Sequence, residues 1–425
     1  MKIVEKAGGE SGVSAPLLPL IKERVDAIAG RLVKFRREIH SRPELSGQEK
    51  DTSAFVAGVL EAADIEVRRG VGGYGVVGLL RGGAAEDGAP TVALRADMDA
   101  LPVDDCKDVE YASSVPGVMH ACGHDVHTAV LMGAAEVLAS VRAHLRGNVK
   151  FLFQPSEERS FGGAGAMIED GALEDPEVAA IVALHCFPEM EVGTIGHRPG
   201  IMTASADRVR ITVKGRSGHA SRPHQTVDAV LVASQVINAI HHIVSRRTNP
   251  LRPAVISIGT IYGGRAENII ADKVVMEGTI RTLDGSLREQ VPRFIEEVLE
   301  GVTTCMGAGY DMEIIKGNPS VRNDERLDSL VARCAADVLG VGGVRRMADP
   351  MMGAEDFSLF AERVPGVLFR LGTGNSERGI TSPLHSSTFD VDEDAIAIGA
   401  KIMSWIAASY LERRPHGAGP ARAER

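Results

Sequence analysis

Short apolar segments that alternate with helical segments are the feature that most restricts how this chain can fold. Residues 91–96, 149–153 and 178–184 are nearly continuous apolar runs, as expected for strands that are buried on both faces. Segments with helical periodicity separate them, for example 126–138, where apolar residues recur every three or four positions. The alternation predicts an α/β fold, in which helices cover both faces of a mostly parallel sheet.

Polar residues follow each of these predicted strands. Asp97 and Asp99 come after the first strand, Glu157 and Glu158 after the second, and His185 directly after the third. In open α/β sheets, ligands bind at the carboxyl ends of the parallel strands. We therefore expect these side chains to form one site at that edge of the sheet.

A different pattern in the middle of the chain predicts a second domain. The predicted order there is strand, helix, strand, strand, helix, strand, which is the ferredoxin-like α+β unit. We expect this inserted domain at residues 205–318, and a discontinuous catalytic domain at 15–204 and 319–413. The termini, residues 1–14 and 414–425, are expected to be flexible.

The densest group of potential metal ligands lies at residues 119–128, which contain three histidines, one cysteine and one aspartate. Gly123 separates Cys122 from His124, and glycine permits the sharp turn that lets both side chains face one ion. The predicted helix that follows would place this cysteine at a helix N-terminus, which favours the thiolate. Packing and capping roles for the cysteine and histidine are the alternative interpretation.

Two consecutive carboxylates, Glu157 and Glu158, could have different roles in one site. Adjacent side chains of an extended segment point in opposite directions. One carboxylate would then bind metal, while the other would act as general base toward the attacking water. A solvent-exposed turn is the alternative interpretation of this pair.

Histidines at strand ends complete the set of candidate metal ligands. A histidine at a strand end is more often a core or capping residue, which is the alternative for His185, and His385, in a loop after a strand, would be unremarkable by itself. Five protein ligands exceed the four of a closed structural zinc site and suit two metals that share a water. The five candidates are Cys122, His124, Glu158, His185 and His385.

Composition and charge exclude several classes of protein. The net charge of −10 argues against nucleic-acid binding, which requires a basic surface. The five cysteines are scattered and odd in number, which favours a reducing compartment over a disulfide framework. We find no signal peptide and no apolar run of about 18 residues that could span a membrane. A cytoplasmic protein without a membrane partner is therefore expected.

Ten motifs between residues 35 and 387 together resemble one known family. It comprises dinuclear metallo-amidohydrolases and peptidases, among them hippurate hydrolases, bacterial aminoacylases and plant indole-acetyl-amino-acid hydrolases. The resemblance covers nearly the whole chain. The matching stretches are FRREIHSRPELSGQE, ALRADMDALPV, MHACGHDVHTAVLMGAA, FQPSEE, ALH, GRSGHASRPH, GGRAENIIAD, GTIRT, MGAEDFS and PLHSS.

This resemblance implies two divalent metal ions per subunit, which could be Zn, Mn, Co or Ni. Cys122 would bridge the two ions as a thiolate. Glu157 would be the general base and then the proton donor to the leaving amine. Asp97 matches an acid that orients a ligand histidine. The ligands that complete the metal shells would be His124, Glu158, His185 and His385.

The family also implies roles for the inserted domain, which would close over the substrate and form a homodimer or a higher homo-oligomer through residues 205–318. His219 would reach the site of the partner subunit and stabilise the oxyanion. Asn268 and Arg281 match positions that hold the substrate carboxylate. Without the resemblance, these three would be read as turn or surface residues.

Two departures from the peptidase branch indicate the substrate class. That branch has histidine where this chain has Arg95, and a bridging aspartate where it has Cys122. The cysteine form belongs to the amidohydrolase branch, which predicts hydrolysis of small N-acyl amino acids. A dipeptidase or carboxypeptidase of the same family is one alternative. An amidase with Cys122 as nucleophile and a non-catalytic metal-binding protein are the others.

Overall fold

The computed structural model describes residues 17–159 and 162–412. The predicted flexible termini, 1–14 and 414–425, lie outside the described residues. Across the part of the chain that is described, no helix combines the length and the apolar character that crossing a membrane requires.

The first part of the chain contains helices interspersed with strands. In order, these elements are α1 (Leu17–Ser41), α2 (Lys50–Ala62), β1 (Glu66–Val71), β2 (Gly75–Leu80), β3 (Thr91–Asp97), α3 (His124–Ser140), β4 (Asn148–Gln154), α4 (Gly163–Glu169), β5 (Val178–Glu191), β6 (Ile195–His197) and β7 (Gly200–Ile201).

The middle of the chain forms a second group of elements. They are β8 (Ser205–Lys214), β9 (Gly218–His219), α5 (Ala229–Arg246), β10 (Ala254–Gly263), β11 (Ile269–Ile270), β12 (Lys273–Thr282), α6 (Gly285–Cys305) and β13 (Gly309–Ile315). The last part of the chain contains β14 (Arg322–Asn323), α7 (Glu325–Leu339), β15 (Val344–Arg346), α8 (Phe357–Ala361), β16 (Gly366–Gly374) and α9 (Asp394–Glu412).

A large sheet forms the centre of the fold, with strand order β1-β2-β4-β3-β5-β16-β6-β15. Its central strands β4, β3, β5 and β16 are parallel to one another. Antiparallel pairs occur toward both edges, at β1–β2, β2–β4 and β16–β6. The prediction of a mostly parallel sheet covered by helices is therefore confirmed.

Helices bury apolar stripes against both faces of this sheet. In α1, the residues Ile21, Val25, Leu32 and Ile39 are spaced by four or seven positions and are all buried. Burial of each such side chain contributes about 1.5–3 kcal/mol. Helices α1, α3 and α9 share one hydrophobic core with one face of the sheet. Helices α4 and α8 pack against the opposite face.

The inserted elements form a separate four-stranded sheet with strand order β10-β12-β8-β13, in which every pairing is antiparallel. Helices α5 and α6 share a hydrophobic core with this sheet. The order β-α-β-β-α-β confirms the predicted ferredoxin-like unit. The domain limits at 205 and 318 remain a prediction. The chain enters and leaves the insert at neighbouring positions, since the Ala206 N–H donates to the Asn318 carbonyl at 3.0 Å.

A row of polar residues crosses the four central strands, at the carboxyl ends of β3 and β4 and in the middle of β5 and β16. Asp97 pairs with Gln154 in the β3–β4 ladder, and Arg370 pairs with His185 in the β16–β5 ladder. In the β3–β5 ladder, Arg95 is paired with Ala183. Two residues further along both strands, Asp97 therefore lies beside His185. Side chains at paired positions of parallel strands share one face. We call Gln154, Asp97, His185 and Arg370 the polar row.

Candidate metal centre

The turn between Cys122 and His124 requires glycine, as the sequence predicted. Gly123 precedes helix α3 with a left-handed φ of 87°. A side chain there would also bring its Cβ atom within 2.8 Å of the Cys186 sulfur. Because L-residues rarely adopt this conformation and the space is filled, only glycine fits. The turn delivers a cysteine and a histidine side by side at the start of a buried helix.

His124 is oriented so that one ring nitrogen faces the site. Its Nδ1 atom donates to the Asp99 carbonyl at 2.8 Å, which fixes the tautomer and the ring direction. Its Nε2 atom is buried and makes no hydrogen bond within the described residues. This nitrogen lies 3.7 Å from an Asp97 oxygen and 4.0 Å from a Glu158 oxygen. A ring nitrogen that is held in a fixed direction and has no hydrogen-bond partner among the described residues is suited to metal ligation.

His185 and Cys122 meet from different elements of the fold. The Nδ1 atom of His185 donates to the Cys186 carbonyl at 2.8 Å, so its Nε2 atom is free to face the Cys122 sulfur at 3.5 Å. Burial raises the pKa of the Cys122 thiol, against the favourable charge of His124. A divalent cation bound here would favour the thiolate.

His385 approaches the same sulfur from a loop that is held in an unusual conformation. Its φ of 63° lies in the left-handed region, which costs about 1–3 kcal/mol and is typical of functional sites. The His385 N–H donates to the Ala121 carbonyl at 2.7 Å, and its Nε2 atom lies 3.5 Å from Glu158. Hydrogen bonds to Cys122 and then to Glu158 raise the pKa of His385 to about 10.

The five predicted ligands form two groups that share Cys122. In each group, the candidate ligand atoms lie within 4.8 Å of one another. The groups are Cys122, His124 and His185 on one side, and Cys122, Glu158 and His385 on the other. Thiolate, imidazole and carboxylate donors suit borderline divalent metals. The buried His124 Nε2 atom, which has no hydrogen-bond partner among the described residues, also fits a cation better than a packing role.

Glu157 and Glu158 do not lie in the extended segment that the sequence predicted. They form a turn, preceded by Ser156 with a left-handed φ of 57°. The Ser156 N–H donates to the Glu49 carboxylate at 2.8 Å, which holds this backbone in place. As a result, the two carboxylates converge, and both lie within 4.8 Å of the His124 ring. The expectation of opposite directions was wrong, because a turn replaces the strand at Pro155.

Glu157 is the buried member of the pair. Burial, followed by the nearby carboxylates Glu355, Asp356 and Glu158, raises its pKa well above the ordinary value. A carboxylate with a raised pKa accepts a proton more readily near neutral pH. Glu157 therefore has the location and the basicity of a general base.

Asp97 contacts a different histidine from the candidate ligands. It accepts from His127 Nδ1 at 2.5 Å and from Arg95 Nη1 at 2.7 Å. His127 Nε2 accepts in turn from the Cys186 N–H at 2.8 Å, so both nitrogens of this ring are occupied. Burial would raise the Asp97 pKa, but the charges of His124, His127 and Arg95 hold it well below its usual range.

A buried polar cluster beside Glu157 was not predicted from the sequence. Arg95 donates to Gln154 at 2.8 Å and, through one nitrogen, to Glu355 and Asp356 at 3.0 Å each. Glu157, Glu355 and Asp356 also bring carboxylate oxygens within 4.8 Å of one another. The sequence signals for this cluster are Arg95, which stands where the peptidase branch has histidine, and the motif MGAEDFS, for which the sequence predicts no role.

A second buried cluster supports the start of helix α3. Arg36 on α1 donates to Asp125 at 2.7 Å, and both side chains are completely buried. Asp125 also contacts His40 at 2.8 Å. Arg36 has further acidic neighbours in Asp390 and Glu393. Since Asp125 follows His124 directly, this cluster connects the stability of the fold to the position of the candidate ligand.

We expect the substitution Arg36→Met to lower the free energy of unfolding by about 3–5 kcal/mol, because it leaves buried carboxylates without their cation. Arg37→Met is the matched control. Arg37 also binds Glu393, but its side chain is 42% exposed, so a loss of about 0–1 kcal/mol is expected. Denaturant unfolding of both variants measures the difference. Equal losses would show that the buried cluster contributes no more than a surface ion pair.

None of the three residues predicted in the insert belongs to these ligand groups. His219 is exposed on the short β9–β11 ribbon and lines an open groove of about 390 Å³. Asn268 accepts from the Ala220 N–H through its backbone carbonyl at 3.1 Å. Arg281 on β12 donates to the Met352 carbonyl at 2.9 Å and so connects the insert to the loop before α8. None of the hydrogen bonds between described residues joins these three side chains to the candidate metal ligands.

The hydrogen bonds of the His219 ring determine which of its two nitrogens carries the proton. Its Nδ1 atom accepts from the Ser221 N–H at 3.1 Å and from the Ser221 hydroxyl at 2.9 Å. A neutral imidazole whose Nδ1 accepts carries its proton on Nε2. The ring therefore presents an N–H group to the open side of the insert.

A family model and several known proteins match this chain over most of its length. The model of Peptidase family M20/M25/M40 matches residues 93–409. "Probable hydrolase sll0100" of Synechocystis sp. is 44% identical, over 92% of this chain and 98% of its own. "N-acetylcysteine deacetylase" of Bacillus subtilis is 38% identical, over 90% and 97%. "Thermostable carboxypeptidase 2" of Saccharolobus solfataricus is 38% identical, over 93% and 100%.

A solved structure with the same fold is described as a metal-binding protein. The Bacillus subtilis YXEP protein, a dinuclear metal binding peptidase from the M20 family, superposes with a TM-score of 0.78 at 34% identity. The match covers 91% of this chain and 99% of the other.

Proposed function

Because this chain belongs to Peptidase family M20/M25/M40, we propose that it hydrolyses the amide bond of N-acyl amino acids. The reaction adds water to R–CO–NH–CHR′–COO⁻ and releases a carboxylic acid and a free amino acid. The observation that supports this most is the pair of ligand groups that share Cys122 beside the buried Glu157. A relative named for deacetylation of N-acetylcysteine supports the substrate class.

We propose that the centre holds two divalent metal ions per subunit, of Zn, Mn, Co or Ni. Cys122 would contribute to both ions, His124 and His185 would complete one shell, and Glu158 and His385 the other. When bound, such ions polarise the scissile carbonyl and make the attacking water more acidic. A dinuclear relative of the same fold supports this proposal.

Residues of this chain would carry out the proton transfers of the reaction and hold the site in place. Glu157 accepts a proton from the attacking water, and its raised pKa favours this transfer. It then returns the proton to the amide nitrogen, which leaves as an amine. Asp97 keeps the His127 ring and Arg95 in place beside the site. Asp99 orients His124 through its backbone carbonyl.

The insert would contribute substrate contacts and the subunit interface. Asn268 and Arg281 would bind the substrate carboxylate, and a guanidinium can do so with two parallel hydrogen bonds. His219 would donate from Nε2 to the oxyanion in the site of the partner subunit. A homodimer or higher homo-oligomer through residues 205–318 is supported by β10. This strand lies at a sheet edge and exposes Ile261 and Tyr262.

A cytoplasmic location is part of the same proposal. None of the five cysteines, all of which lie in the described part of the chain, forms a disulfide, and Cys106 and Cys305 are exposed, which is typical of a reducing compartment. A buried thiol at Cys122 is also easier to keep unoxidised there.

Metal-dependent release of amino acid tests the proposed function. Protein stripped by a chelator should lose turnover of N-acetyl and N-benzoyl amino acids, and Zn, Mn, Co or Ni should restore it. Free amino acid is measured for each substrate and metal, with dipeptides in the same panel. Faster release from dipeptides would favour a peptidase, as the carboxypeptidase relative suggests.

Two other outcomes would contradict the proposal. Activity that survives chelation, together with a trapped acyl-enzyme, would assign Cys122 as a nucleophile. Metal binding without hydrolysis of any N-acyl amino acid or dipeptide would support a non-catalytic metal-binding protein.

A further inference from the structure

Arg370 is a buried arginine in the polar row. It lies on β16, is only 5% exposed and is paired with His185 of β5 in the parallel ladder. Paired residues of adjacent strands lie about 4.8 Å apart and share a face. The Arg370 side chain is therefore next to the candidate ligand His185, on the face that carries Asp97.

Unlike the other buried arginines, Arg370 lacks anionic partners. Arg36 makes ion pairs with three carboxylates, and so does Arg95. The side chain of Arg370 makes no hydrogen bond or ion pair with any residue in 17–159 or 162–412, and its Nε atom is fully buried. A buried guanidinium costs free energy unless an anion accompanies it.

The groups around Arg370 indicate which part of the molecule its uncompensated positive charge lies near. Its neighbour His185 belongs with Cys122 and His124 to one ligand group, whose ligand atoms lie within 4.8 Å of one another. Burial lowers the pKa of Arg370, and the groups that oppose this effect are Glu355, Cys122, Glu157 and Glu189. Two of them, Cys122 and Glu157, are the proposed metal bridge and general base. The guanidinium therefore belongs to a residue beside the place where amide hydrolysis would occur.

We propose that Arg370 is a substrate-binding residue that donates hydrogen bonds to the oxygen of the scissile carbonyl and of the carboxylate product. This oxygen gains negative charge when water adds to the carbonyl, and the released carboxylate keeps that charge. The proposal rests on the proposed function, which assigns the other substrate carboxylate to Asn268 and Arg281 in the insert. It gives the catalytic domain an anion-binding group of its own.

A guanidinium suits this task better than an ammonium group. It presents N–H donors in a fixed plane, and it can bind both oxygens of a carboxylate at once. It also stays charged when buried, whereas a lysine in the same position would lose its proton more readily. Arg370→Lys should therefore bind a carboxylate less well than the wild type, but better than an uncharged variant.

Calorimetric titration of benzoate and acetate into the metal-loaded protein tests the proposal without turnover. Arg370→Met should weaken binding of both anions by about 10- to 100-fold, as expected for lost hydrogen bonds between charged groups. Arg370→Lys should fall between. Arg345→Met, on the exposed surface of β15, is the matched control and should bind as the wild type does. Metal content is measured in every variant.

Chemical rescue separates the charge from the space that the side chain fills. Added guanidinium should restore carboxylate binding to Arg370→Ala, whereas uncharged urea at equal concentration should not. Unchanged benzoate and acetate affinity in metal-loaded Arg370→Met would overturn the proposal, as would equal rescue by urea. Failure of the proposed function is a separate outcome, because the wild type would then release no amino acid whatever its affinity for carboxylates.

Discussion

The substitution Glu157→Gln is expected to lower kcat by about 10²- to 10⁴-fold while metal content stays at the wild-type value. The amide has nearly the same shape as the carboxylate, so it preserves packing in this buried position. It cannot accept the proton of the attacking water. Turnover of an N-acyl amino acid, measured together with metal content by elemental analysis, gives both quantities on the same sample.

The adjacent carboxylate provides the control for this experiment. Glu158→Gln makes the same chemical change one residue away, but Glu158 carries one of the candidate ligand oxygens beside Cys122 and His385. This variant should lose metal as well as activity, and excess metal should restore part of its turnover. Near-normal turnover of Glu157→Gln would remove it as general base. Equal metal loss in both variants would show that the pair acts as one metal ligand.

His219→Ala is expected to lose about 10²- to 10³-fold in kcat, the usual effect of removing one oxyanion donor. The ring is exposed and presents its Nε2 proton outward, because Ser221 occupies Nδ1. Metal content should not change, since His219 is not among the candidate ligands. Loss of metal in this variant would contradict a role in substrate binding alone.

Mixed dimers then determine which subunit His219 serves. In a dimer of one His219→Ala and one Glu157→Gln subunit, a histidine that acts across the interface leaves one site intact. Heterodimers purified with two affinity tags should recover about half of the wild-type activity. A Glu157→Gln and Glu158→Gln heterodimer is the control and should recover none. No recovery in the first pair would place His219 in the site of its own subunit.

The fold was largely predictable because apolar periodicity is a local property. The buried strands, the helices between them and the order of the inserted unit follow from residues a few positions apart. The short strands β6 and β15 were not predicted, because three residues carry too little pattern. The turn at Glu157 was also missed. Its conformation depends on Glu49, which lies more than 100 residues earlier in the chain.

The candidate site was predictable to a different extent for each residue. Cys122 and His124 stand out because they are close in sequence, and His185 because it directly follows an apolar run, although β5 continues past it to Glu191. Arg370 gave no such signal, since a single arginine inside an apolar segment is unremarkable. Its meaning depends on its neighbour His185 in the sheet and on the carboxylates around it. Such relations arise only when distant segments pack together.

The neighbouring positions at which the chain enters and leaves the insert have a consequence for how such proteins diversify. Ala206 and Asn318 are joined by a hydrogen bond, and the insert has a hydrophobic core of its own. Two crossovers, one at each junction, would therefore exchange this module between relatives without interrupting the large central sheet. Chimeras built at this junction would show which half of the molecule determines substrate preference.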